Sequence, residues 1–125
     1  PEVIQEVSTL VIQAQSDLCE VRKMIHKIGF FIEKEKFCMD AGKPYLVMRA
    51  VRGEEKTPYE PAEYEYGRLL HEVSDTAYRK FLLDERDKKM KLQETLNMQK
   101  TSGAGARVEE LTEEITGLNW ILNKF

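Results

Sequence analysis

The chain has 125 residues, of which 33% are charged, and a net charge of −3. Charges of both signs so evenly mixed suit solvated helix faces and argue against the strongly basic footprint of a nucleic-acid binder. No apolar run approaches the roughly 18–20 residues of a bilayer-spanning helix, and nothing resembles a signal peptide.

Two cysteines, Cys19 and Cys38, are too few for a disulfide framework, which predicts a cytoplasmic setting with a nuclear one as the alternative. The sequence lacks an initiator methionine and its apolar periodicity runs to both ends, so a piece excised from a larger protein is expected.

Residues 1–41 read as one long helix. Ile4, Val7, Val11, Ala14, Leu18, Val21, Ile25, Ile28 and Ile32 follow the alternating three–four spacing of a coiled-coil seam. Val3, Leu10, Met24 and Phe31 sit one position earlier and widen the stripe, and Asp17 breaks that row. A stripe this wide exceeds what a two-stranded seam covers, so self-association through this helix is expected. Gly42 and Pro44 supply its stop.

Residues 42–58 form a knuckle. Within it, Pro44–Gly53 reads as a short helix in preference to one isolated strand, because a lone strand leaves its ladder unpaired and Gly53 fits a C-cap. A second helix covers 59–100. Its start is a capping box at Thr57-Pro58-Tyr59-Glu60, or slides to Pro61. Tyr66, Leu69, Leu70, Val73, Ala77 and Phe81 give this helix a stripe that fades into the charged run Asp84–Lys89.

Residues 101–106, "TSGAGA", read as a flexible linker, either a native turn or an inserted one. "GAGARV" follows a charged helix and not a strand, so it is not a dinucleotide fingerprint, and "AGKP" lacks the glycine and hydroxyl residue of a P-loop. A third helix, 107–125, repeats Val108, Leu111, Ile115, Leu118, Leu122 and Phe125, with glutamates early and Lys124 late to suit the helix dipole.

The expected fold is therefore all-α. It is an antiparallel helical bundle of two long helices (1–41 and 59–100), an aromatic-rich knuckle, and a shorter third helix packed on the stem. The expected function is non-catalytic: a protein–protein interaction or oligomerisation module of a cytoskeletal, trafficking or scaffold protein, partnered by itself or by another coiled coil. No small-molecule substrate or cofactor is expected, and nucleic acid is disfavoured. Partner contacts are assigned to Met24, Phe30, Phe31, Tyr45, Arg49, Arg52 and Trp120. In a second reading, the basic residues Lys34, Lys36, Lys43, Arg49, Arg52 and Lys56 dock an acidic polymer or lipid surface.

The search for chemistry is sparse. Cys19 and His26 lie seven residues apart on one helix, about 10 Å by helical rise, too far to share a metal ion. "HEVSD" at 71–75 has Asp75 where a zincin needs its second histidine, and an Asp75–Arg79 surface pair is the simpler expectation.

Overall fold

The computed structural model describes residues 7–99 and 103–125. They fall into two compact units, one ending at Leu70 and the other starting at His71. In chain order the elements are β1 (Thr9–Ala14), α1 (Leu18–Lys27), β2 (Phe30–Asp40), β3 (Lys43–Arg52), α2 (Pro61–Tyr66), α3 (Leu69–Glu72), α4 (Thr76–Gln99) and α5 (Ala104–Leu122).

This is a mixed α/β fold and corrects the all-α expectation. The first 41 residues are not one helix. Three of the four residues Thr9-Leu10-Val11-Ile12 are β-branched, which suits a pleated surface better than a helix, and they lie in β1. The Pro44–Gly53 segment is not a short helix either. It is β3, the central strand of a three-stranded antiparallel sheet in the order β1-β3-β2. The strand reading fails from sequence because its partners, residues 9–14 and 30–40, had been absorbed into the long helix. Once those are strands, the β3 ladder is paired on both sides.

The two-residue period of β3 is plain in its burial. Leu46, Met48 and Ala50 are buried, and Arg49 between them is exposed. Phe30 and Ile32 of β2 join the same buried face, because directly opposed residues share a face and Ile32 lies opposite Ala50. The register then shifts between Ile32 and Lys34, leaving Glu33 as the extra residue of a bulge. Beyond it Glu35 lies opposite Met48 and Phe37 opposite Leu46, so odd-numbered residues of β2 now face inward. That phase change brings a glutamate to the buried face.

β2 and β3 are joined by Ala41-Gly42, with Asp40 paired to Lys43. Both loop residues have positive φ, 52° and 78°, as a two-residue type I′ hairpin turn requires. Gly42 is thus a hairpin residue and not a helix stop.

The second predicted helix is interrupted. Gly67, at φ 89°, ends α2, and Ser74, at φ 52°, precedes α4. α2 begins at Pro61, where proline's missing donor is harmless, and the Glu63 carboxylate accepts the Glu60 backbone N–H at 2.9 Å. Asp75 caps α4 by accepting the Tyr78 N–H at 2.8 Å, the ordinary task of a carboxylate at a helix start; it takes this role in place of the expected surface pair.

In the second unit α4 and α5 run antiparallel. Arg86 bonds the Asn119 amide oxygen at 2.8 Å, Lys89 meets Glu114 at 3.4 Å, and Gln93 bonds the Val108 carbonyl and the Thr112 hydroxyl. Leu82, Leu111, Leu118 and Ile121 form its buried core. Of the "TSGAGA" stretch, residues 101 and 102 lie outside the described residues, Gly103 is left-handed at φ 92°, and Ala104 already opens α5.

Ala41 is the costly member of the hairpin turn, since an alanine Cβ opposes the left-handed region. Ala41→Asn should raise stability by about 0.5–1 kcal/mol. Urea melts that show no gain would mean the turn is not held in this geometry.

Candidate functional site

The first unit is built around a buried cation. Leu18, Arg22 and Ile25 share one face of α1, and Arg22 is fully buried. Its guanidinium grips Glu35 from two sides, Nη2 to Oε1 at 2.7 Å and Nε to Oε2 at 3.3 Å, and neither side chain is exposed. Nη1 donates to the backbone carbonyls of Tyr64 and Glu65 at 2.7 and 2.9 Å. One side chain therefore ties α1 to β2 and to the last turn of α2. A planar fork with five donors is suited to this, and lysine is not.

Gly67 is required beside it. A Cβ there would lie 3.0 Å from Arg22 Nη2 and 3.1 Å from Glu35 Oε2, in a backbone conformation, φ +89°, that side chains rarely adopt.

One turn along α1 from Arg22, His26 uses both ring nitrogens. Nδ1 lies 2.8 Å from the Tyr64 hydroxyl and Nε2 lies 3.0 Å from Glu55 Oε1. The same Glu55 oxygen accepts the Ile32 backbone N–H at 3.0 Å, beside the bulge. The imidazole also meets the Tyr59 ring edge-on, with centroids 4.7 Å apart.

Tyr59 stands against a second ion pair. Arg68 sits 4.3 Å from the Tyr59 ring centroid and pairs with Glu63 at 2.7 Å. The Glu63 hydrogen bonds hold the Arg68 guanidinium above its usual pKa. Arg68 also donates to the carbonyls of Thr57 and Pro58. Burial, followed by the charges of Glu55 and Glu35, pushes the Tyr59 phenol well above the usual tyrosine range. Its hydroxyl, although buried, has no hydrogen-bond partner among the described residues.

Beside these rings lies a hollow of about 340 Å³ lined by Cys19, Lys23, Tyr59, Pro61, Tyr64 and Glu65. Burial first, then Glu65, raises the Cys19 thiol above its ordinary pKa, so it is protonated near neutrality and a poor nucleophile.

The strand-to-helix connection from β1 to α1 is Gln15-Ser16-Asp17. All three are exposed, and Asp17 is left-handed at φ 55°. It is an exposed polar turn between the first strand and the first helix.

The residues assigned to partner contact from sequence belong to different elements. Phe30 is only 1% exposed and belongs to the core, with Arg52, its cross-strand partner, over the ring at 4.9 Å. Arg52 also donates to the Val7 carbonyl. Phe31 is half-buried near Gly53, Tyr45 is half-buried opposite Cys38, and Arg49 is exposed near Glu33. Met24 is exposed on α1. Trp120, on α5, carries Lys124 at 4.7 Å from its ring. Within the first unit the structure brings Phe30 and Arg52 together.

Sequence reasoning gave no site role to Arg22, Glu35, Glu55 or Glu63. Arg22 was recoverable, since it lies four residues after Leu18 and three before Ile25, on the inner face.

Comparison with known proteins decides the family. The sequence matches the tRNA (adenine(22)-N(1))-methyltransferase family over residues 1–119. The chain belongs to that family.

Solved structures agree in fold. A Streptococcus agalactiae protein of the NADB-Rossmann superfamily superimposes with TM-score 0.78 at 21% identity, covering 97% of this chain and 50% of that one. B. subtilis tRNA methyltransferase TrmK gives 0.77 at 18%, covering 91% and 51%. M. capricolum TrmK bound to S-adenosyl-homocysteine gives 0.75 at 16%, covering 98% and 54%. The chain thus spans about half the length of these structures. Among curated proteins, none matches.

The fold is accordingly a Rossmann-like methyltransferase fold, with a three-stranded sheet and five helices among the described residues. Family membership overturns the reading as a non-catalytic coiled-coil or cytoskeletal scaffold. It likewise overturns the expectations of no enzyme, no small-molecule substrate and no nucleic acid, because the family is one of tRNA-modifying enzymes. Even charge mixing misled here, since it measures the average surface and not a local site. Among the described residues no helix is long and apolar enough to cross a membrane.

Two measurements test the network. Arg22→Met strands the Glu35 carboxylate in the interior and should cost about 3–5 kcal/mol, whereas Arg22→Met with Glu35→Leu should recover much of that loss. Denaturant melts in which the double variant is as unstable as the sum of the singles would show that the pair is not coupled. Tyr59 gives a pH signature. Its folded pKa lies above the unfolded value of about 10, so its contribution is intact below that pH. It is lost as pH rises further, because the unfolded chain ionises first. Tyr59→Phe should flatten the alkaline decline in stability, and an unchanged slope would assign that decline to other groups.

Proposed function

We propose that the chain serves in methyl transfer from S-adenosyl-methionine to N1 of adenine 22 of tRNA, as part of an enzyme of its relatives' length. The observation that carries this is the family match over residues 1–119 of 125. The shared fold with a structure bound to S-adenosyl-homocysteine, the product of such a transfer, supports it. The reading implies a cytoplasmic location, alongside tRNA.

The chemistry sets modest demands. N1 lies on the Watson–Crick edge, so the base must leave any pair and stack before it can react. Its lone pair is already free near neutrality, and the methylated ring can remain a cation. No general base is needed to create the nucleophile; positioning is the main task.

A Rossmann-type nucleotide cradle requires a glycine-rich turn between strand and helix. The β1–α1 turn is Gln15-Ser16-Asp17 and has no glycine. That turn therefore does not fit the donor's adenosyl group, and donor binding is not assigned to it.

The same turn suits the acceptor base better. A glutamine amide matches the N6 and N7 edge of adenine and leaves N1 clear, so Gln15 is the residue we assign to hold the base.

The protein carrying this chain should methylate a tRNA transcript with adenine at position 22, read as a reverse-transcription stop, and not one with guanine there. Methylation indifferent to that base would sink the reading. Gln15→Ala should lower kcat/KM by about tenfold to a hundredfold, the discrimination expected of one bidentate base contact. An unchanged value would remove Gln15 from the site.

A further inference from the structure

β1 is an edge strand without the protection that edge strands usually carry. Among the described residues it pairs with β3 alone. The Arg52 N–H donates to the Ser8 carbonyl at 3.0 Å, one step before the Thr9–Val51 pair. Hydrogen-bonded pairs alternate along an antiparallel ladder, so Leu10, Ile12 and Ala14 turn their backbone groups toward β3. Thr9, Val11 and Gln13 turn theirs outward, where no described strand takes them.

The two edges of the sheet are unlike. β2 carries a bulge and the run Glu33-Lys34-Glu35-Lys36, and with such features natural sheets keep further strands from adding. β1 has no charged residue, no proline and an unbroken register. It is also apolar on both faces, with Leu10 and Ile12 on the inner one and Val11, 72% exposed, on the outer. Leu10 and Ile12 are only half-buried, although Ala50 and Met48 opposite them are fully buried. The sheet is closed off at β2 and unfinished at β1.

We propose that the outward side of β1 receives a parallel strand from the remainder of the same protein. Length argues for that source, because this chain spans about half of the solved structures that share its fold. Composition argues for the direction. Antiparallel strands with one wet face alternate polar and apolar residues, whereas strands of parallel sheets are apolar on both faces because layers cover both. β1 is thus a joint, antiparallel to β3 on one side and parallel to the incoming strand on the other. Two copies of the chain joined edge to edge by a twofold axis would be antiparallel at β1 and leave Val11 in water. Running parallel, the incoming strand brings its own carboxyl end beside the β1–α1 turn. A second wall for the base held by Gln15 therefore comes from outside these 125 residues.

Amide hydrogen exchange on the protein of its relatives' length is the test. The amides of Thr9, Val11 and Gln13 should be as protected as those of Leu10 and Ile12, which β3 already holds. At an open edge they would exchange about a hundredfold faster or more. Val11→Lys should lower the melting temperature by about 5 °C, since a lysine is harmless at an edge and costly between layers. Fast exchange at Thr9, Val11 and Gln13 overturns the proposal, as does an unchanged melting temperature in Val11→Lys. Protection that disappears on dilution also overturns it, by assigning the edge to a second copy. The inference rests on the reading above only in taking the protein to have its relatives' length. Methylation of tRNA by a protein whose β1 edge exchanges freely removes this inference alone, and a protected edge without methylation removes the methyltransferase reading alone.

Discussion

The first unit depends on one buried ion pair. Arg22 and Glu35 are both withdrawn from water, which on its own costs several kcal/mol for each ion. The cost is offset because every direction of the guanidinium is used: two contacts to the carboxylate and two to the ends of backbone carbonyls. An apolar pair of similar volume could fill the same room. It could not fix the positions of a helix, a strand and a second helix with three different hydrogen-bond partners. The pair thus contributes more to placement than to net stability, and Gly67 is constrained to keep the space clear.

The other polar groups extend outward from that centre. His26 and Glu55 link α1 to the edge of β2, and Arg68 with Glu63 folds the segment from Thr57 to Glu65 back on itself. Residues 53–60, which contain no helix or strand, are held by side chains in place of a backbone ladder. This is the usual answer to the requirement that backbone groups find partners. A rigid loop of this kind lets Tyr59 be buried although its neighbours in sequence are exposed.

The legible part of the sequence was its late part. α4 and α5 lie in stretches with helical apolar spacing, long charged faces and acid-first charge order, and such signals are local. α1 lies inside the stretch read as helix, but the strands on either side were taken for its continuation. The reason is arithmetical. Phe30 and Ile32 step by two, and then the bulge makes the next inward residues Glu35 and Phe37. A step of three inserted in a run of twos resembles a helical step, and Ile25, Ile28 and Ile32 add to that resemblance. The candidate site was less legible than the fold. Its centre consists of charged residues, whose burial depends on partners 13 and 42 residues away in sequence. No periodicity reports such a pairing. His26 was noticed only as a candidate metal ligand and Tyr59 only as part of a capping box.

The bulge at Glu33 also sets where the chain can change length. In a regular strand, gaining or losing a residue exchanges the two faces for everything that follows. β2 already carries one residue beyond what the ladder needs. Removing Glu33 would leave Phe30, Ile32, Glu35 and Phe37 on the inner face, now in unbroken alternation, with Lys34 and Lys36 outward. Removing Lys34 or Glu35 while the bulge persists would leave Arg22 without its acid, and removing Lys36 would turn Phe37 outward. A series of single-residue deletions through 31–37 would then show one permissive position in an otherwise intolerant strand. Length variation among relatives is expected to collect at that position, in the middle of a sheet, where insertions and deletions are ordinarily excluded.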